Sequence, residues 1–84
     1  MNHRASPSFW SLYERLKPEV RRLADKNFEL LRRDPNHPSL HFKRVGRYWS
    51  VRVGLNLRAL GVRRGEDLVW FWIGTHDDYE RLLG

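Results

Sequence analysis

The sequence predicts an α+β domain: an N-terminal helical hairpin packed on a four-stranded antiparallel sheet, with a short helix at the C-terminal end. Three observations carry that expectation. Apolar residues recur with helical spacing up to about residue 31, then the pattern changes to short runs of β-forming residues separated by glycine turns. The connections between those runs are too short for crossovers, so the strands must run antiparallel. The chain has 84 residues, 40% of them hydrophobic and 13% aromatic, which suits one domain spanning 1–84 with a small core.

The first helix begins at Ser6-Pro7 or Ser8, where a hydroxyl can cap and proline fits the opening turn. Phe9, Leu12, Tyr13 and Leu16 then fall on one helical face. Pro18 interrupts, because a proline pushes the preceding residue out of the helical region. A second helix starts there, with Val20, Leu23, Ala24, Asn27, Phe28 and Leu31 as its inner stripe, and Asp34-Pro35 ends it. Four strand-like runs follow: Leu40 to Val45, Tyr48 to Val53, Leu57 to Val62 and Leu68 to Ile73. In the last, simple alternation places Trp70 and Trp72 on one face and Phe71 on the other. Gly74 closes that strand, Thr75 can cap a final helix, and Leu82 and Leu83 can dock it.

The absence of cysteine excludes disulfides, thiolate metal sites and a cysteine nucleophile, and fits a reducing cytoplasm. No run of 18 apolar residues exists, so no membrane partner is expected. The net charge of +6 is not spread evenly. Pro35 to Gly65 contains no acid but holds Lys43, Arg44, Arg47, Arg52, Arg58, Arg63 and Arg64; the remainder of the chain sums to −1. Arginine's planar fork matches phosphate geometry, so a polyanion such as nucleic acid is the first partner to consider. If Gly54-Leu55-Asn56 is the loop, Val53 pairs with Leu57, and Arg52 stands directly opposite Arg58 on the face away from the helices. Like charges so placed repel, and either solvent screens them or an anion sits between them. One of Lys43 and Arg44, which point to opposite faces, joins them there, and Arg47 lies in the adjacent turn. His76 opens the final helix, with Tyr79 three residues on and close to the same face. His37 and His41 are separated by Pro38 and do not form a helical metal pair, so no metal or other cofactor is expected.

Three stretches together resemble the RelE/ParE superfamily of bacterial type II toxins. They are the hairpin closing in Asp34-Pro35-Asn36-His37-Pro38-Ser39-Leu40, then Tyr48-Trp49-Ser50-Val51-Arg52-Val53-Gly54 followed by Leu57-Arg58-Ala59-Leu60, and the ending Trp70-Phe71-Trp72-Ile73-Gly74-Thr75-His76-Asp77-Asp78-Tyr79. The resemblance implies a toxin encoded beside a cognate antitoxin. In RelE-like members the toxin enters the ribosome and cuts mRNA, with the ribose 2′-hydroxyl attacking the adjacent phosphate and no metal involved. On that resemblance Arg58 corresponds to the sheet arginine that binds the scissile phosphate, His76 to a histidine acid or base, and Tyr79 to an aromatic that stacks on a base or donates a proton. Lys43, Arg44, Arg47 and Arg52 would hold RNA phosphates. The sequence departs from the family pattern in four ways. No carboxylate base stands on a sheet strand, His76 and Tyr79 are three residues apart where some members have an adjacent His-Tyr pair, Trp72 or Ile73 occupies the place of a basic residue on the last strand, and only Met1 to Pro7 precede the helices, where Asn2 to Ala5 could supply a strand stub. The leading expectation is a ribosome-associated mRNA endoribonuclease. A poison of DNA gyrase acting by protein binding is the alternative, and a non-toxic basic RNA-binding module the second alternative.

Overall fold

A computed structural model describes residues 2–83. The element order is β1 (Asn2–Ala5), α1 (Pro7–Glu14), α2 (Pro18–Arg33), a 3-10 turn (Pro38–Leu40), β2 (Lys43–Val45), β3 (Tyr48–Gly54), β4 (Leu57–Arg64), β5 (Asp67–Thr75) and α3 (His76–Leu83). The sheet is five-stranded and mixed, in the order β1-β5-β4-β3-β2. This corrects the expected four-stranded antiparallel sheet and puts a strand ahead of the helices. β1 pairs parallel to β5, with His3 beside Leu68 and Ala5 beside Trp70. Its sequence Asn-His-Arg-Ala has little strand preference of its own. Tertiary bonds hold it instead: backbone N–H groups of Asn2 and Ser6 donate to Glu66 and Trp70 carbonyls, and Arg4 pairs with Asp67 at 2.8 Å.

The two helices are separate. The Ser6 hydroxyl accepts from the Phe9 N–H to cap α1, and Pro18 opens α2. α1 lies on β5 and α2 on β3. Their buried residues Phe9, Ala24 and Leu31 close over Val51, Val53, Ala59, Leu68, Trp70 and Ile73. Asn27, within the apolar stripe of α2, donates from one amide nitrogen to its own helix at Leu23 and to the Val53 carbonyl, tying the helix to the sheet. The expected strand from Leu40 shortens to Lys43–Val45. Leu40 is fully buried at the end of the 3-10 turn, and His41 adopts a left-handed conformation with φ 46°, so pairing cannot start earlier.

Two irregularities decide what each sheet face carries. Gly54 rather than Val53 pairs with Leu57, which leaves a two-residue turn, and an irregularity at Val53 restores the Arg52–Arg58 pairing. A second bulge lies between Leu60 and Gly61, which pair with Trp72 and Trp70, leaving Phe71 as the extra residue. Trp70 therefore faces the core while Trp72 faces the other way with Leu60, correcting the expected shared face for the two indoles. Among the described residues, no helix is long and apolar enough to cross a membrane.

Candidate functional site

The sheet face away from α1 and α2 is built from alternate residues of β2 to β5. Across one row stand Lys43 and Ser50, then Leu60 and Trp72; across the next stand Arg52, Arg58 and Gly74. Arg52 and Arg58 are thus direct cross-strand neighbours, each half-buried. Their guanidinium groups meet only backbone carbonyls: Arg52 donates to Leu55 at 3.5 Å and Arg58 to Leu57 at 3.4 Å, both long contacts. No carboxylate pairs with either among the described ion pairs. Burial and, after it, the Arg52 charge push the Arg58 guanidinium below its ordinary pKa, while Tyr79 and Glu80 act in the opposite direction. Arg58 remains a cation at any physiological pH.

α3 closes one end of this face. The Thr75 hydroxyl accepts from the Asp78 N–H to cap it, and the His76 N–H donates to the Asn56 carbonyl in the β3–β4 turn. Arg58 is paired with Gly74, two residues before His76. The His76 ring stacks on Tyr79 with centroids 5.9 Å apart, and the Tyr79 side chain is buried. His76 Nε2 lies 3.1 Å from a Glu80 carboxylate oxygen, one helical turn on. Its Nδ1 is enclosed with no hydrogen-bond partner. As a neutral ring His76 donates to Glu80 from Nε2, and as an imidazolium it makes a salt bridge. Glu80 therefore takes up the Nε2 side of the ring while the Nδ1 side is enclosed.

Of the residues singled out from sequence, Arg52, Arg58, His76 and Tyr79 gather at this end of the sheet, with Lys43 on the same face at its edge. Arg44 has the opposite strand parity, beside Trp49, and donates to the Gly46 carbonyl at 3.1 Å; Arg47 sits in the exposed β2–β3 turn. Two residues of the face were not anticipated. Glu80 supplies the carboxylate that the sheet lacks, and its signal was the four-residue spacing from His76. Trp72 reaches this face only through the bulge, which nothing in the β5 alternation announces. Among the described residues, no group of three or more His, Asp or Glu could hold a metal ion.

No curated protein matches the sequence. Solved structures match its fold. A chain of the RelB–RelE antitoxin–toxin complex from Methanococcus jannaschii superposes with a TM-score of 0.71 at 13% identity, covering 96% of this chain and 99% of that one. The YoeB/ParE toxin from Agrobacterium tumefaciens gives 0.66 at 19% identity, covering 90% and 99%. A chain of the RelBE2 toxin–antitoxin complex from Mycobacterium tuberculosis gives 0.66 at 19% identity, covering 88% and 95%. The family model of the ParE-like toxin domain matches residues 18–81, which run from the start of α2 through the His76–Glu80 pair. The chain therefore belongs to the ParE-like toxin domain family.

Proposed function

We propose that this toxin is an mRNA endoribonuclease that acts at the ribosome and is held in check by a cognate antitoxin. The observation that carries the reading is the convergence of an acid-free arginine pair with a proton-transfer pair, His76 and Glu80, at one end of the sheet. A poison that works by protein binding alone needs no acid or base. In the reaction a 2′-oxygen–phosphorus bond forms, the bond to the 5′-oxygen breaks, and a proton moves from the attacking to the leaving side. The chemistry builds negative charge on the non-bridging oxygens, which Arg58 and Arg52 would stabilise. His76 would exchange the proton at Nε2, since its Nδ1 is enclosed, and the Glu80 contact must open for Nε2 to reach the substrate. Tyr79 backs the His76 ring.

The antitoxin partner is supported by two fold relatives that are themselves toxin–antitoxin complexes. Induced expression followed by mapping of transcript 5′ ends tests the activity. New 5′ ends should appear with the wild-type chain and fall by about 10²–10³-fold in rate with Arg58→Ala or His76→Ala. Growth arrest with DNA damage and intact transcripts would instead make the chain a gyrase poison.

A further inference from the structure

Trp72 differs from the other three tryptophans in its surroundings: it lies across from Leu60 and over Gly74 on the outer sheet face. Trp10, Trp49 and Trp70 each pair with another aromatic ring, at centroid distances of 5.0 to 6.3 Å. Trp72 has no ring partner among the described residues and stays half-buried on the basic face. It arrives there through a specific backbone device. With Phe71 in regular alternation and no bulge, Trp72 would share the core face of Trp70.

The indole also has a prepared seat. A Cβ at Gly74 would lie 2.5 Å from Trp72 Cζ2 and 2.9 Å from Cη2, so only glycine lets the ring lie flat along β5. Gly74 is the cross-strand partner of Arg58, whose own neighbour on the other side is Arg52. A half-buried indole without a ring partner among the described residues therefore borders the two arginine forks. An aromatic plane beside a backbone-neutralising cation is the arrangement that holds single-stranded nucleic acid, since every base has a π-face to stack.

We propose that Trp72 is the nucleobase platform of the site: one base of a single-stranded RNA stacks on its indole while the adjoining phosphate lies between Arg52 and Arg58. This rests on the RNA-cleaving reading above and adds the residue that grips the substrate's base. The test uses the full chain and a short single-stranded RNA made uncleavable by 2′-O-methyl groups and carrying one 5-iodouridine at successive positions. Photo-crosslinking should attach the RNA to the β5 peptide at Trp72. Trp72→Leu should weaken binding roughly five- to hundredfold, the range typical of one lost stacking contact. Trp72→Phe should stay within about threefold of wild type, because the π-face persists.

The outcomes separate the two ideas. RNA binding that weakens with Arg58→Ala but not with Trp72→Leu, or a crosslink on another residue, overturns the platform and leaves the RNA reading intact. No RNA binding by the wild-type chain overturns the platform, while the mapping of transcript 5′ ends decides the cleavage reading separately. If Trp72→Leu loses its fold, shown by circular dichroism, the wild-type crosslink and the Trp72→Phe affinity decide.

Discussion

Arg52 and Arg58 carry like charges across one rung of the β3–β4 ladder, without a carboxylate to offset them. Such a pair costs stability when nothing lies between the two side chains. Arg52→Ala should therefore raise the denaturant midpoint slightly, by about 0.2–1 kcal/mol of stability, while weakening RNA binding. A chemical denaturation curve beside a binding curve checks both signs, and a loss of stability would contradict the repulsion. His3 makes a different residue-level contribution. Its Nδ1 accepts from the buried Trp70 Nε1 at 3.1 Å, which requires that nitrogen to be unprotonated. Burial, reinforced by the Arg32 charge, lowers its pKa below 6.5. A depressed pKa means the folded chain resists a proton that the unfolded chain accepts. The associated stability is complete above about pH 6.5 and is lost as pH falls through the lowered value. Unfolding midpoints measured from pH 7.5 down to 5 should fall, and His3→Gln, which keeps an acceptor near the indole, should flatten that fall.

At the scale of elements, β5 presents its two indoles to opposite faces, each seated over a glycine. A Cβ at Gly61 would meet the Trp70 ring at 2.9 Å and the Val69 carbonyl at 3.1 Å, while one at Gly74 would meet only the Trp72 ring. Trp70 is locked in the core, whereas Trp72 is only half-buried. Gly61→Ala should thus destabilise by about 1–3 kcal/mol, and Gly74→Ala by less, because the outer ring can swing aside. Thermal melts of the two variants rank them. The same strand marks where the sequence was readable and where it was not. Periodicity located both N-terminal helices, the proline break and the capping by Thr75, because those depend on local spacing and side-chain chemistry. It also placed Arg52 opposite Arg58, although the turn proved one residue shorter and a backbone irregularity made up the difference. Bulges escape such reading, since an inserted residue changes the parity of all that follow without altering composition. β1 escaped for another reason: its four residues have no strand pattern, and their partner lies 65 positions away. Glu80 is legible in principle from its four-residue spacing to His76, but many exposed helical pairs share that spacing, so it does not by itself mark a site.

For the whole molecule, charge is unevenly spread along the chain: residues 1–34 sum to +3, 35–65 to +7 and 66–84 to −4. Association with RNA should then depend steeply on salt. If Lys43, Arg52 and Arg58 each neutralise one phosphate, the logarithm of the affinity falls with the logarithm of salt with a slope of about −2, and Arg52→Ala reduces that slope by about 0.7. A titration series from low to moderate salt measures it; a slope unaffected by Arg52→Ala would place the RNA elsewhere.

The parallel pairing of β1 with β5 also has a consequence in time. Residues 2–5 must find residues 67–70 across nearly the entire chain, the most distant pairing in the sheet. Loop closure over that span is entropically costly, so it follows the local hairpins β2–β3, β3–β4 and β4–β5 rather than leading them. β1 then docks late, after the folding transition state. Substitutions there, such as His3→Ala or Arg4→Ala, should quicken unfolding while leaving the refolding rate nearly unchanged.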